Sequence, residues 1–308
     1  MSGPKKHHYV PQVYLRNFAF GKEKNPKLHV LASNSGKIYT ASVCDSAAER
    51  DFYTVDSLAD KYMWEKHYAS TIEPLLGDLL KKLRSRCENV LIQNNSEVLT
   101  QDEKFQLALS MLFQLSRSKK TRDYTQDLYD RLLPDVCEQA RAKFGPLSDA
   151  QEAQLQSFAD ERKYFKEISM EVSFRRESVE KIVSILVQRN FVIYKIVGDY
   201  SFITSDHPVL LVDKDTYDVT PFRNGLIDVN TLVYFPISPK LLIGAYHPDL
   251  YFGTFRKIDC CLEILDGTQN SGFIRTMNRK QREQSNYVYA QTRDALENMK
   301  TAYDGIPG

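Results

Sequence analysis

The chain keeps its helix-forming and strand-forming segments apart, which limits the folds open to it. Residues 57–188 carry apolar residues at three- and four-residue steps, a spacing typical of amphipathic helices. Residues 190–265 hold short runs of β-branched and aromatic residues, such as FVIYKIV and KLLIGAY, which indicate strands. Because runs of helices and runs of strands are separate, we predict an α+β fold rather than a doubly wound α/β fold, with an antiparallel sheet packed beside a helical bundle.

Local signals place several elements along the chain. Thr100 and Glu103 predict a capping box at the start of a helix. KLHVLASNSGKIYTASV predicts a hairpin that turns at residues 34–36, and ERDFYTVD predicts a further short strand. Pro74 predicts a kink or a break in the first long helix. We also predict one helix over residues 148–174 and a closing helix at about 275–292.

The length of the chain suits one large domain or two small ones. We expect a single domain over residues 1–308, in three parts. Residues 1–56 form an N-terminal motif and hairpin, residues 57–188 a helical bundle, and residues 190–292 a β-rich part with the closing helix.

Charge and composition narrow the function. The 41 basic and 40 acidic residues leave a net charge of +1, which argues against a protein that coats nucleic acid, although a local basic patch would suffice for a nucleic-acid enzyme. Five cysteines without a C-x-x-C motif argue against a disulfide framework or structural zinc site and favour a cytoplasmic protein with reduced thiols. We expect neither a secretory signal nor a membrane span, and the sequence has no nucleotide-cofactor motif.

Several stretches, taken in order, resemble a bacterial family of uncharacterised proteins, domain of unknown function 4238. They are HHYVPQVYLRNF, RDFYTVD, EKHYASTIEPLL, LALSMLFQLSRSKKTRD, FITSDHPVLL, VYFPISPKLLIG and MNRKQREQSNYVYA. The resemblance covers about residues 7–290 and departs from the family at His207, where asparagine is usual. It implies an architecture and a candidate site that includes Glu65, Glu73 and Arg117, but no established reaction.

The two adjacent histidines, His7 and His8, would point to opposite sides of an extended segment. We interpret His8 as the inward one, because it lies nearer to a predicted helix whose dipole would keep its imidazole neutral. The alternative is that His8 only ties down the N-terminus. Asp206 ends a predicted strand, where a carboxylate is well placed for chemistry, or it caps its own turn.

The acidic and basic candidates support two interpretations. Glu73 and Arg117 would form a structural ion pair if both are buried. In the functional interpretation, His8, Asp206 and Glu73, or Glu65 in place of Glu73, hold a divalent cation, which could be Mg²⁺, Mn²⁺ or Zn²⁺. Arg117 or Lys6 then binds a phosphate. A basic face formed by Arg275, Arg279, Lys280 and Arg282 is the best patch for contacting nucleic acid.

We therefore hypothesise a metal-dependent phosphodiester hydrolase, in first place a nuclease, with His8, Asp206 and Arg117 as catalytic residues. The alternative is a non-enzymatic sensor, effector or interaction module whose His, Asp, Glu and Arg motifs form a structural polar network. A third hypothesis is small-molecule chemistry on a nucleotide, with the Tyr-rich sheet stacking a base. An open pocket with unpaired carboxylates would favour the enzyme, and a closed network would favour the module.

Overall fold

The computed structural model describes residues 5–55, 58–90, 97–160, 175–219, 224–250 and 259–304. Its helices are α1 (Gln12–Leu15), α2 (Met63–His67), α3 (Glu73–Cys87), α4 (Gln101–Arg117), α5 (Lys119–Phe144), α6 (Asp149–Asp160), α7 (Arg176–Gln188), α8 (Ser271–Glu283) and α9 (Arg293–Asp304). Its strands are β1 (Lys6–His8), β2 (Lys27–Ala32), β3 (Lys37–Ser42), β4 (Ala48–Arg50), β5 (Asn190–Val197), β6 (Thr204–Ser205), β7 (Leu210–Asp213), β8 (Thr231–Ser238), β9 (Leu241–Tyr246), β10 (Cys261–Asp266) and β11 (Tyr287–Ala290). Among the described residues, no helix combines the length and the apolar character needed to cross a membrane.

The start of α4 is fixed by hydrogen bonds between two side chains and the backbone. At the start of α4, the Thr100 side chain accepts the Glu103 N–H, and the Glu103 carboxylate accepts the Thr100 N–H, so the predicted capping box is confirmed. Glu103 also pairs with Arg86 of α3 at 2.8 Å. This hydrogen bond lowers the pKa of Glu103 to about 2. One side chain therefore starts α4 and joins it to α3.

Pro74 does not break the helical segment that contains it. It lies at the second position of α3, directly after a helical turn, so the helix continues through a residue that has no N–H to donate. The irregularity comes just before it, because Tyr68–Ile72 form a π-helical turn between α2 and α3. The segment from Met63 to Cys87 is thus helical throughout, with one wide turn inside it.

The strands form three sheets. The largest has the order β10-β5-β9-β8-β7, in which β10 runs parallel to β5 and the other neighbours are antiparallel. A four-stranded antiparallel sheet has the order β3-β2-β11-β6, and β1 pairs with β4 in a small third sheet. The α+β class and the hairpin of β2 and β3 are confirmed, and the largest sheet is mixed at one edge rather than wholly antiparallel.

The main apolar core joins the helical segment to the largest sheet. Leu15, Leu83 and Met111 from helices and Phe191 and Phe235 from strands are all fully buried in one cluster. Tyr14 of α1 stacks on Phe235 of β8 with ring centroids 5.1 Å apart. Its hydroxyl donates to the Pro236 carbonyl at 2.5 Å. The N-terminal motif is therefore packed into the core.

Two predictions about elements need correction, and a third is tested only over part of its range. ERDFYTVD is a strand only at its start, because β4 ends at Arg50 and Asp51 adopts a positive φ of 54°. The closing helix ends at Glu283, and the last part of its predicted range is β11, followed by α9. The helix predicted over residues 148–174 is seen as α6, and its remainder lies outside the described residues.

Candidate functional site

The side chains of the two N-terminal histidines point to opposite sides of an extended strand, as predicted. The buried one, however, is His7 and not His8. In the pairing of β1 with β4, His7 lies opposite Glu49 and His8 opposite Ala48. His7 is completely buried, whereas His8 is partly exposed. The His7 Nδ1 accepts the Tyr53 N–H at 2.9 Å, and the two rings stack. The interpretation of His8 as the inward histidine was therefore wrong, because the register with β4 directs His7 inward.

His8 is nevertheless close to charged groups. Its Nε2 lies 3.1 Å from the Cys44 carbonyl oxygen, which can only accept a hydrogen bond, so Nε2 carries a proton. Burial lowers the pKa of His8, while the Cys44 carbonyl and the charge of Glu73 oppose that shift. The imidazole is thus held close to Glu73 with Nε2 used as a donor.

Arg117, the last residue of α4, lies at the centre of the cluster. Its Nε donates to the Tyr53 hydroxyl at 3.0 Å, and its Nη2 donates to Glu73 at 2.9 Å and to the His8 carbonyl. Its guanidinium also lies 4.1 Å from the centre of the Tyr68 ring. Burial alone would lower the pKa of Arg117, but Tyr53, Glu73 and Tyr68 outweigh burial and raise it. The ion pair expected between Glu73 and Arg117 is present.

Two polar atoms of this cluster are left over. Among the described residues, neither Glu65 Oε2 nor Arg117 Nη1 has a hydrogen-bond partner, although both atoms are buried. Burial raises the pKa of Glu65 to about 7, the charge of Glu73 adds to this shift, and Arg117 opposes it. A carboxyl group that titrates near neutral pH therefore lies within electrostatic range of a guanidinium that has an unused N–H group.

The π turn brings Glu65 and Glu73 towards the same side of the helical segment, which faces Arg117. Glu65 lies in α2 and Glu73 begins α3, eight residues later. On an ideal α-helix this separation would turn the two side chains about 80° apart. A π turn holds more residues than an α turn, so the segment Tyr68–Ile72 reduces that angle. We refer to His8, Tyr53, Glu65, Glu73 and Arg117 as the N-terminal polar cluster.

Asp206 belongs to a second group of polar residues. Its carboxylate accepts the Asn286 N–H at 3.1 Å. Burial raises the pKa of Asp206 to about 6, against backbone hydrogen bonds and the charge of Lys120. The next residue, His207, bonds through Nδ1 to the Ser118 hydroxyl at 2.7 Å, and burial lowers the pKa of His207 to about 3. Ser118 directly follows Arg117, so the two groups meet where α4 passes into α5.

The side chains of His8, Glu73 and Asp206 do not fit a divalent cation. Within the described ranges, no group of three or more His, Cys, Asp or Glu side chains is arranged to hold a metal ion. Each of the three expected ligands instead contacts a protein group: Cys44 for His8, Arg117 for Glu73 and Asn286 for Asp206. The expected ligand set is therefore not brought together among the described residues.

The basic residues expected to contact phosphate are placed differently from the prediction. Lys6 pairs with Asp45 at the surface. Lys280 is buried, with its Nζ 2.8 Å from Glu283 and 3.2 Å from Asp218, and Arg282 is also buried. Lys280 and Arg282 are therefore not exposed to solvent, although the closing helix was expected to present a basic face there. Arg279 is half-buried and lines a cleft.

Sequence reasoning missed the part played by Tyr53 and ranked Glu73 above Glu65. Tyr53 was visible within RDFYTVD, and Glu65 was visible in EKHYASTIEPLL as one of two spaced glutamates. What could not be seen was the π turn. Four of the stretches that carry the family resemblance meet in the N-terminal polar cluster, and a fifth adjoins it through His207.

Comparisons with known proteins agree with the resemblance and name no activity. Neither the search of curated proteins nor the search of solved structures found a significant match. The family described as "Protein of unknown function (DUF4238)" matches residues 6–294. The chain belongs to this family.

Proposed function

We propose that this protein is a phosphodiester hydrolase, in first place a nuclease, with Glu65 as its general base. The observation that carries the proposal is the Glu65 carboxyl, whose Oε2 is buried without a partner among the described residues. Its pKa of about 7 suits a group that must both accept and release a proton near neutral pH.

Arg117 supports the choice of an anionic substrate. Its Nε and Nη2 are used inside the cluster, while its Nη1 has no partner in the described part of the chain. A guanidinium N–H is a strong donor to a phosphate oxygen. Glu73, Tyr53 and the His8 carbonyl hold the guanidinium in place, so these groups position Arg117.

The cluster borders on solvent, although Glu65 Oε2 and Arg117 Nη1 are themselves buried, so a substrate reaches these two atoms only when the edge of the cluster opens. The Glu73 side chain is 19% exposed, and Glu65 and His8 are each partly exposed. In the proposed reaction the Glu65 carboxylate takes a proton from water, whose oxygen forms a bond to phosphorus. The bond from phosphorus to the leaving oxygen breaks on the opposite side, a solvent water donates a proton to that oxygen, and Glu65 then releases its own proton to solvent. Arg117 Nη1 donates to a non-bridging phosphate oxygen, and the products are a phosphomonoester and an alcohol.

The test is cleavage of labelled single- and double-stranded DNA and RNA by the full chain, with Mg²⁺, Mn²⁺, Zn²⁺ or chelator. Glu65→Gln keeps the size of the side chain and removes its titration, so the rate should fall at least ~100-fold, the usual contribution of an acid–base group. Glu180→Gln, which changes an exposed glutamate paired with Arg176, is the matched control. Absence of cleavage under every condition, or equal rates for wild type and Glu65→Gln, would contradict the proposal.

A non-enzymatic interaction module is the second candidate, because most of the cluster is closed. His8, Tyr53, Glu73 and Arg117 each bond to other protein groups. A module of this kind would cleave no substrate. Its Glu65→Gln variant would change only stability, and the same assay therefore separates the two candidates.

A further inference from the structure

A cleft of about 910 Å³ lies away from the residues of the N-terminal polar cluster. The turn after β5 supplies Asp199 and Tyr200, α8 supplies Arg275 and Arg279, and α9 supplies Asp294 and Asn298. Its volume lies in the range of sites that bind small molecules and cofactors. Nothing in the proposed hydrolase uses this cleft.

The two arginines of the cleft are presented together. Arg275 and Arg279 are four residues apart on α8 and so lie on the same face of the helix. The Arg275 Nη2 donates to the Tyr200 hydroxyl at 3.1 Å, with its guanidinium 5.8 Å from the ring centre. This contact holds the Arg275 guanidinium beside an aromatic ring.

Unlike Arg275, Arg279 makes no hydrogen bond to a described residue. Its Nε is buried and has no hydrogen-bond partner among the described residues, and the Glu283 carboxylate lies 3.5 Å away. A neighbouring lining residue, Asn278, is fully used, because its amide bonds the Ile203 N–H and the Ser201 carbonyl. Because Nε is buried beside Glu283, the groups of Arg279 that can reach a ligand in the cleft are Nη1 and Nη2, which make no hydrogen bond to the described residues.

We propose that this cleft binds a phosphorylated small molecule of nucleotide size. Two guanidinium groups on one helix face suit a phosphate, which accepts several N–H bonds at once. Tyr200 offers an aromatic edge or face to a ring, and Asp199, Asp294 and Asn298 offer acceptors to hydroxyl or amino groups of the ligand. The two carboxylates offset the charge of the two arginines, so the cleft suits a ligand with a single phosphate group better than a long polyanionic strand.

The test is calorimetric titration of the full chain with inorganic phosphate, pyrophosphate, the four nucleoside monophosphates and the matching nucleosides. At least one monophosphate should bind, and its nucleoside should bind at least tenfold more weakly. Arg279→Gln should weaken that binding at least tenfold. Arg176→Gln is the matched control, because Arg176 also pairs with a glutamate four residues later, on an exposed helix.

A second variant keeps the test decisive if Arg279→Gln does not fold. Asn298→Tyr places a larger side chain at an exposed position of the lining, so it should block the cleft without disturbing the core. The proposal is overturned if no phosphorylated probe binds at millimolar concentration, or if both variants, folded as judged by thermal melting, bind as well as wild type. Binding that is lost in Glu65→Gln but kept in Arg279→Gln would also overturn it, since the ligand would then occupy the N-terminal polar cluster.

Discussion

A single carboxyl group, that of Glu65, should make the stability of this protein depend on pH. Because its pKa is raised to about 7 in the folded state, the folded protein holds this proton more tightly than the unfolded chain does. The sign follows: the contribution to stability is full below the ordinary glutamate pKa and is lost as pH rises through about 7. Glu65→Gln cannot lose a proton, so it should gain stability relative to wild type over that interval. Since Glu65 is partly exposed, we expect a gain of about 1 to 2 kcal/mol.

Urea unfolding of wild type and Glu65→Gln between pH 4.5 and 8 would measure this difference. Other groups that titrate in the same range, such as Asp206, are common to both proteins and cancel in the comparison. Glu180→Gln should follow wild type at every pH, because that glutamate is exposed. Parallel stability curves for wild type and Glu65→Gln would show that Glu65 has an ordinary pKa.

Arg117 gives a second prediction at the scale of one residue. Replacing it by Met keeps the apolar packing against Tyr68 but leaves Glu73 and the His8 carbonyl without their donor. Breaking one half of a buried ion pair costs about 3 to 5 kcal/mol, and the partial exposure of Glu73 places our expectation at about 3. Chemical unfolding at pH 7 measures the loss. Arg122→Met is the control, since Arg122 pairs with the more exposed Glu49 and should cost less.

At the scale of an element, the π turn controls where α2 points. Deleting both Ala69 and Ser70, two exposed residues of the turn, should remove the π turn and leave Glu65 and Glu73 six residues apart, which is about 120° around an α-helix. Glu65 would then leave the neighbourhood of Arg117, and its pKa should return towards the ordinary value. A carbon-13 NMR titration of the glutamate carboxyl groups measures this pKa, with Ala69→Ser as the control of unchanged length. A pKa that stays near 7 in the deletion variant would show that the turn does not position Glu65.

At the scale of the whole molecule, β11 connects the two ends of the described chain. It pairs with β2 on one side and β6 on the other, and Val288 and Ala290 pack with Leu31 and Ile203 in a separate apolar cluster. We therefore expect one cooperative unfolding transition, which would also test the single-domain prediction. A chain that ends at Gln284 should not fold. A chain that ends at Gln291 keeps β11 and should fold with reduced stability.

Circular dichroism and size-exclusion chromatography of the two truncated chains would measure this contrast. Monomeric, cooperatively melting protein from the shorter chain would contradict the expectation. So would two separate transitions in the full-length protein.

The sequence predicted best those features that depend on residues close together in the chain or on the pairing of opposite charges. The capping box at Thr100 and the hairpin of β2 and β3 depend on residues close together in the chain. The inward histidine depends on the register between β1 and β4, which local periodicity cannot specify. The alternation Tyr-Val-Tyr-Ala of β11 favours a strand. It follows a helical face with no glycine or proline between the two, so the sequence predicts that the helix continues. The π turn has no characteristic residue type.

The position of β11 also has a consequence for biosynthesis. When the ribosome has made β2 and β3, the strand that must lie beside β2 is still untranslated, because it is near the other end of the chain. The N-terminal hairpin must therefore wait with an open edge through most of elongation, and such edges invite pairing with other nascent chains. A chaperone that shields the hairpin should raise the yield of soluble protein. Slower translation after β3 should lower it, because the open edge of β2 is then exposed for longer.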